Sequence, residues 1–123
     1  MKLMAALFMA GVVGTALASP SADFQKQCTE LLNQKGKVKE AQRLHALFGA
    51  HWEYSMREFP ESATWRGYPG QNDRWTDYSP ESVDQRKGDT QTALKVVRSI
   101  DRAKLSVVDQ LNFDLFKRNL DLE

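Results

Sequence analysis

The chain has 123 residues, and its 17 lysines and arginines nearly balance its 16 aspartates and glutamates. This balance excludes the basic stripe that nucleic-acid binding requires. The length allows one small domain after removal of a leader, and the single cysteine excludes an internal disulfide framework.

The N-terminus has the pattern of a secretory signal peptide. Met1-Lys2 is a basic start, residues 3–13 are apolar apart from one glycine, and residues 14–18 end in an A-x-A cleavage pattern. The apolar run is about half the ~20 residues that a membrane span needs, so an uncleaved anchor is the weaker alternative. We therefore predict cleavage after Ala18, export to the periplasm or the medium, and no membrane attachment afterwards.

After a polar lead-in over residues 19–23, helical spacing of apolar residues predicts a first helix over residues 24–34. Lys35-Gly36 supplies the stop. Cys28 lies inside this helix, and its thiol is either buried, paired with another chain, or paired with a segment outside this sequence. Burial is the interpretation we favour.

The strongest amphipathic pattern predicts a long helix over residues 38–59, which Pro60 ends. Arg43 falls off the apolar stripe, whereas His45 lies on it and His51 at its edge. The stripe consists of Val38, Ala41, Leu44, His45, Phe48, Trp52, Ser55, Met56 and Phe59.

A short helical turn is predicted over residues 60–63, and residues 65–78 are too rich in turn-forming residues for a regular element. We refer to residues 65–78 as the aromatic loop. Its rings and arginines are of the types enriched in binding surfaces, although rings in loops as often cover a core. The candidate substrate or partner contacts are Trp65, Arg66, Tyr68, Arg74, Trp75 and Tyr78.

Two further helices complete the prediction. Ser79-Pro80-Glu81 is a helix start, and the helix continues to Ile100 despite Gly88. Ser106 and Asp109 resemble a capping box that opens a last helix, for which no closing signal is present. Its predicted apolar stripe is Val108, Leu111, Leu115 and Leu120, broadened by Phe113 and Phe116, and a chain of this length is expected to bury only part of it. The fold class is all-α, in a segment of a larger, mostly helical protein.

The chemistry-bearing residues form no recognisable catalytic motif. His45 and His51 are six residues apart, which places their rings about 120° apart around a helix, so they do not chelate one ion together. Packing histidines are the favoured interpretation. We therefore predict no catalytic residue, no metal ligand and no cofactor in this segment.

The run Phe59-Pro60-Glu61-Ser62-Ala63-Thr64-Trp65-Arg66-Gly67 resembles the entry to a bacterial family called domain of unknown function 885. The resemblance continues through residues 73–81, 100–106 and 109–115, and it covers about residues 38–123. No single piece is diagnostic, but the ordered set is fairly specific.

The resemblance implies a longer, exported helical protein with a downstream histidine–glutamate motif of metallopeptidase type, and therefore zinc in the full-length parent. Residues 1–18 are then the signal peptide, residues 19–36 the lead-in and first helix, and residues 37–123 the N-terminal part of the family domain. The expected partners are the missing C-terminal part of the chain and a peptide substrate. The alternative is a self-contained helical module that binds through the aromatic loop.

Overall fold

The computed structural model describes residues 18–123, and the predicted signal peptide lies outside these residues except for Ala18. The described residues form helices and turns and contain no strand, which confirms the all-α prediction. The elements are α1 (Pro20–Asn33), α2 (Glu40–Glu58), α3 (Pro60–Trp65), α4 (Pro80–Ser99), a 3-10 turn (Arg102–Lys104) and α5 (Val107–Leu122). None of the described helices combines the length and the apolar character that crossing a bilayer requires.

Serine caps start three of the five helices. The side chains of Ser19, Ser79 and Ser106 each accept a hydrogen bond from a backbone N–H in the first turn that follows, at 3.1–3.3 Å. The Ser79 and Ser106 starts were predicted. The Ser19 start was not, because residues 19–23 were interpreted as a lead-in, whereas Ser19-Pro20 opens α1 four residues early.

The core lies between α1, α2 and α4. Phe24 and Cys28 from α1, Leu44 and Leu47 from α2, and Val97 from α4 are all within 1% of complete burial. Since burial of apolar surface is the main driving force for folding, these helices form the stable body of the chain. Cys28 is buried as predicted and forms no disulfide.

The buried face of α2 differs from the predicted stripe. Arg43, Leu47 and Tyr54 are buried, whereas Trp52 and His45 are exposed, so the core face is rotated by roughly a third of a turn. The reason is that α2 packs on two sides. Its core face meets α1 and α4, and part of the predicted stripe meets α5 instead.

Arg43 is fully buried although the sequence places it off the apolar stripe. Its guanidinium donates to the carbonyl of Leu31 at 3.0 Å, to the carboxylate of Glu40 at 3.0 Å, and to the hydroxyl of Ser99 at 2.6 Å. The planar fork of five donors allows one side chain to satisfy groups from three helices. Arg43 therefore fastens the last turn of α1 and the end of α4 to α2.

Asp89 is a second buried polar centre, and it also joins three helices. Its carboxylate accepts hydrogen bonds from the Ser21 hydroxyl at 2.8 Å, the Gln25 amide at 2.6 Å and the Tyr54 hydroxyl at 2.9 Å. Burial, with the negative charge of Asp89, raises the pKa of Tyr54, and the same two causes raise the pKa of Cys28 to about 12. Both groups are therefore neutral at physiological pH.

The apolar stripe predicted for α5 is divided between two sides of the helix. Phe113 and Leu120 are buried, and Phe116 packs against Phe48 with 4.9 Å between ring centroids. The remaining members face solvent, because α5 carries apolar residues on two opposite sides and only one side meets the core. We call the exposed side the outer face of α5. It consists of Val107, Val108, Leu111, Leu115 and Leu122.

Candidate functional site

The aromatic loop is held in place by polar contacts to the short helix α3. The Glu61 carboxylate accepts from the backbone N–H of Thr76 at 3.0 Å and from the Thr76 hydroxyl, and these bonds lower the pKa of Glu61. The Thr64 hydroxyl donates to the side-chain carbonyl of Asn72 at 2.9 Å. Gly67 has a positive φ of 71°, which a residue with a Cβ rarely adopts. The loop is therefore a defined structure.

The six candidate contact residues do not converge on one site. Tyr68 donates to the Glu53 carboxylate at 2.5 Å, and the Arg66 guanidinium lies 5.7 Å from the centre of the Trp52 ring. Arg74 bonds within the loop, to the side-chain carbonyl of Gln71 at 2.9 Å.

The three remaining candidate contacts are all aromatic and solvent-exposed. Trp65, at the end of α3, is 93% exposed, Trp75 is 83% exposed and Tyr78 is 75% exposed. Of the six candidates, Tyr78 and Arg66 each line a lobe of the cleft described next.

A two-lobed cleft lies between α2, α4, the aromatic loop and the end of α5. The first lobe has a volume of about 370 Å³, with Phe59, Tyr78 and Val83 in its wall. The second lobe has a volume of about 400 Å³ and lies between α2, Arg66 and α5. Both volumes fall within the range of small-ligand pockets.

Three polar residues line both lobes, and we call them the base of the cleft: His51, Ser55 and Glu123. The Ser55 hydroxyl and His51 Nδ1 are 3.4 Å apart, and the Glu123 carboxylate accepts from the Thr90 hydroxyl at 3.1 Å. Burial lowers the pKa of His51, and the charge of Glu123 opposes this shift only in part. The imidazole is therefore neutral near pH 7.

The geometry of this base supports polar contacts to a ligand rather than acyl transfer. Ser55 lies in the last turn of α2, where backbone N–H groups are bonded along the helix, so they do not provide an oxyanion hole for a serine nucleophile. The edge of the His51 ring packs against Phe116, with centroids 5.1 Å apart. We assign no catalytic role to this pair.

Arg86 organises the wall of the first lobe. Its guanidinium lies 5.5 Å from the centre of the Phe59 ring and 5.9 Å from that of Tyr78. It is held by the Asp77 carbonyl at 2.8 Å and by the Glu58 carboxylate at 3.5 Å. One arginine thus joins α2, α4 and the loop, and it fixes two aromatic rings beside the cavity.

The two histidines lie in different surroundings, consistent with the packing interpretation for His51. His45 is exposed, and its Nε2 lies 2.8 Å from the Asp109 carboxylate, which links α2 to the start of α5. The Asp109 carboxylate was expected to complete a capping box and instead meets this histidine. Within residues 18–123, no three histidine, cysteine or acidic side chains group as metal ligands would.

Sequence reasoning did not find Ser55, Arg86 or Thr90 as cleft residues. Ser55 lies on α2 and the other two lie on α4, and each reads locally as a solvated or packing position. Only the packing of α2 against α4 brings them together, so no local motif could have pointed to them.

The family described as bacterial protein of unknown function (DUF885) matches residues 60–123, which is more than half of the chain. The chain belongs to this family. The match begins at Pro60 and includes α3, the aromatic loop, α4 and α5, whereas the resemblance read from the sequence extended back to about residue 38. Neither the curated proteins nor the solved structures contain a match.

Proposed function

We propose that this chain is the non-catalytic, helical N-terminal part of an exported DUF885 protein that hydrolyses peptides with zinc bound elsewhere in the product. Family membership supports the assignment to a DUF885 protein. The metallopeptidase chemistry rests on the sequence resemblance alone, which implies a histidine–glutamate motif downstream. A zinc ion held by that motif would supply a Lewis acid for the scissile carbonyl, and the residues of this chain would support the domain that carries the motif.

The outer face of α5 is the observation that carries the proposal. Its five side chains are between 50% and 85% exposed, and together they expose as much apolar side chain as more than three fully exposed residues. They lie opposite the side that packs on the core, as in a helix that has partners on both sides. Further helices of the same product would cover this face.

The proposal of export rests on the N-terminal pattern. Cleavage after Ala18 would leave Ser19 as the first residue, and the cap of α1 would be kept because its hydroxyl accepts from the Ala22 N–H at 3.1 Å. N-terminal sequencing of the periplasmic or secreted product tests this. A mature protein that starts at Met1 and sediments with membranes would contradict export.

The test of function compares the product of the complete reading frame with residues 19–123 alone. The complete product is expected to cleave members of a peptide library, to lose this activity with a zinc chelator, and to regain it when zinc is restored. Residues 19–123 should cleave nothing and should associate through the outer face of α5. Hydrolysis by residues 19–123 alone, an inactive complete product, or a reading frame that stops at Glu123 would each overturn the proposal.

A further inference from the structure

The first lobe of the cleft is a cavity with an apolar wall and a polar base, and nothing so far assigns it a ligand. The rings of Phe59 and Tyr78 stand beside it, with Val83 next to them. Small-ligand sites in proteins have this character, in which apolar walls supply affinity and a few polar groups supply orientation.

The polar groups at the base include one carboxylate. The Glu123 side chain only accepts hydrogen bonds, whereas the neutral His51 ring and the Ser55 hydroxyl lie 3.4 Å apart and, bonded to each other, leave one donor and further acceptor positions. A ligand group that donates an N–H suits the Glu123 carboxylate. A ligand carboxylate suits it less well, because it would meet the charge of Glu123.

The cations at the rim of the lobe each face an acid of their own. Arg86 pairs with Glu58 at 3.5 Å, and the Lys87 ammonium lies 3.4 Å from the Asp84 carboxylate. The rim therefore presents little uncompensated positive charge, which again favours a neutral ligand over an anion.

We propose that the first lobe binds an apolar side chain, aromatic or branched, together with an N–H of the adjacent backbone amide. The occupant is thus a residue of a peptide. That this side chain belongs to a peptide rests on the proposed function. The site adds to that function by placing a substrate side chain on this part of the product, apart from the proposed zinc.

Disulfide tethering tests the site, because the only native thiol of the chain, Cys28, is buried and has a raised pKa. In the Thr90→Cys variant the new thiol lines the lobe, whereas in the matched Gln91→Cys variant it lies on an exposed position of the same helix. Each variant is equilibrated with a mixture of phenylethyl and carboxyethyl disulfides, and the adducts are counted by mass spectrometry after circular dichroism has verified the helix content.

The ratio of phenylethyl to carboxyethyl adducts should be roughly tenfold greater for Thr90→Cys than for Gln91→Cys. This is the effect expected from burying one aromatic ring. N-acetylphenylalaninamide should compete with this capture better than N-acetylphenylalanine, which carries a carboxylate in place of the amide. Removal of the ring in Tyr78→Ala should weaken the preference, and Tyr78→Phe should keep it.

Equal preferences in the two cysteine variants would overturn the proposal, as would equal competition by the amide and the acid. If Thr90→Cys does not fold, Lys87→Cys places the thiol at the rim of the same lobe and carries the same expectation. Because tethering requires no hydrolysis, its outcome is independent of whether the complete product is a peptidase. Failure of the site and failure of the proposed function are therefore distinguishable.

Discussion

Replacing Asp89 by alanine should strongly destabilise the chain, because it removes one of the two buried polar centres that join α1, α2 and α4. The carboxylate is fully buried and accepts from Ser21 and Gln25 of α1 and from Tyr54 of α2. Each buried donor left without an acceptor costs about 1–3 kcal/mol. Two of the three donor side chains, Ser21 and Tyr54, are buried, while Gln25 can turn toward water.

The two stranded donors therefore give a loss of about 2–6 kcal/mol, reduced by relief of the carboxylate's own desolvation. We expect a loss of about 3 kcal/mol for Asp89→Ala, and about half of that for Asp89→Asn, which keeps one acceptor oxygen. Such a loss is a large part of the stability of a small domain.

Urea unfolding followed by far-ultraviolet circular dichroism measures this loss, at low protein concentration so that association does not contribute. The matched control is Asp84→Ala on the same helix, where the side chain is 76% exposed and the expected change is within about 0.5 kcal/mol. A double-mutant cycle with Tyr54→Phe should show coupling of about 1 kcal/mol. Equal stability of the Asp89→Ala and Asp84→Ala proteins would refute the account of this polar centre.

Three further predictions concern other polar groups. Arg43→Lys should lower the free energy of unfolding by about 2–4 kcal/mol in the same urea assay, because an ammonium does not reproduce a buried, forked set of bonds to three helices. The Cys28 thiol should resist alkylation at pH 8 in the folded chain and react at once in urea, as mass spectrometry would show; rapid reaction without urea would contradict its burial. The Asp109 carboxyl has a lowered pKa because it bonds His45, so its stabilising contribution is present above about pH 4 and is lost as the pH falls through its folded pKa. Asp109→Asn should therefore lower the melting temperature at pH 6 and leave it unchanged near pH 2, and an equal effect at both pH values would exclude this pair.

Local signals in the sequence predicted where most helices begin and end. Ser79-Pro80 and Ser106 are caps, and Pro60 ends α2 and opens α3, because capping and proline geometry depend on neighbouring residues only. The start of α1 carries the same Ser-Pro signal and was missed because the segment follows the predicted cleavage site.

Which helix face is buried was predicted less well, because that property depends on partners far apart in sequence. Arg43 reads as a solvated charge until the end of α4 supplies Ser99 and its carbonyl. Leu111 and Leu115 were predicted to share one apolar stripe with Leu120, but α5 has two apolar sides, and the sequence does not say which one packs on the core. The two-lobed cleft was missed for the same reason, since its residues come from α2, α4 and α5.

The central claim is that the outer face of α5 is covered by the rest of the product. Replacing two of its leucines by glutamates tests this claim most directly. Leu111 and Leu115 are 59% and 50% exposed, so covering them would remove roughly half of each side chain from water. Complete burial of a leucine contributes about 1.5–3 kcal/mol, so the pair contributes about as much as one fully buried side chain. Burial of the introduced carboxylates adds to the loss.

The measurement is the unfolding free energy and the association state of the double variant Leu111→Glu/Leu115→Glu. Both are determined in the complete product and in residues 19–123. The matched control is Lys95→Glu, on the exposed side of α4. The two forms should respond differently to the same change. The complete product should lose at least about 2 kcal/mol, whereas residues 19–123 should become monomeric without loss of helix. A complete product as stable with the two glutamates as without them would contradict the account.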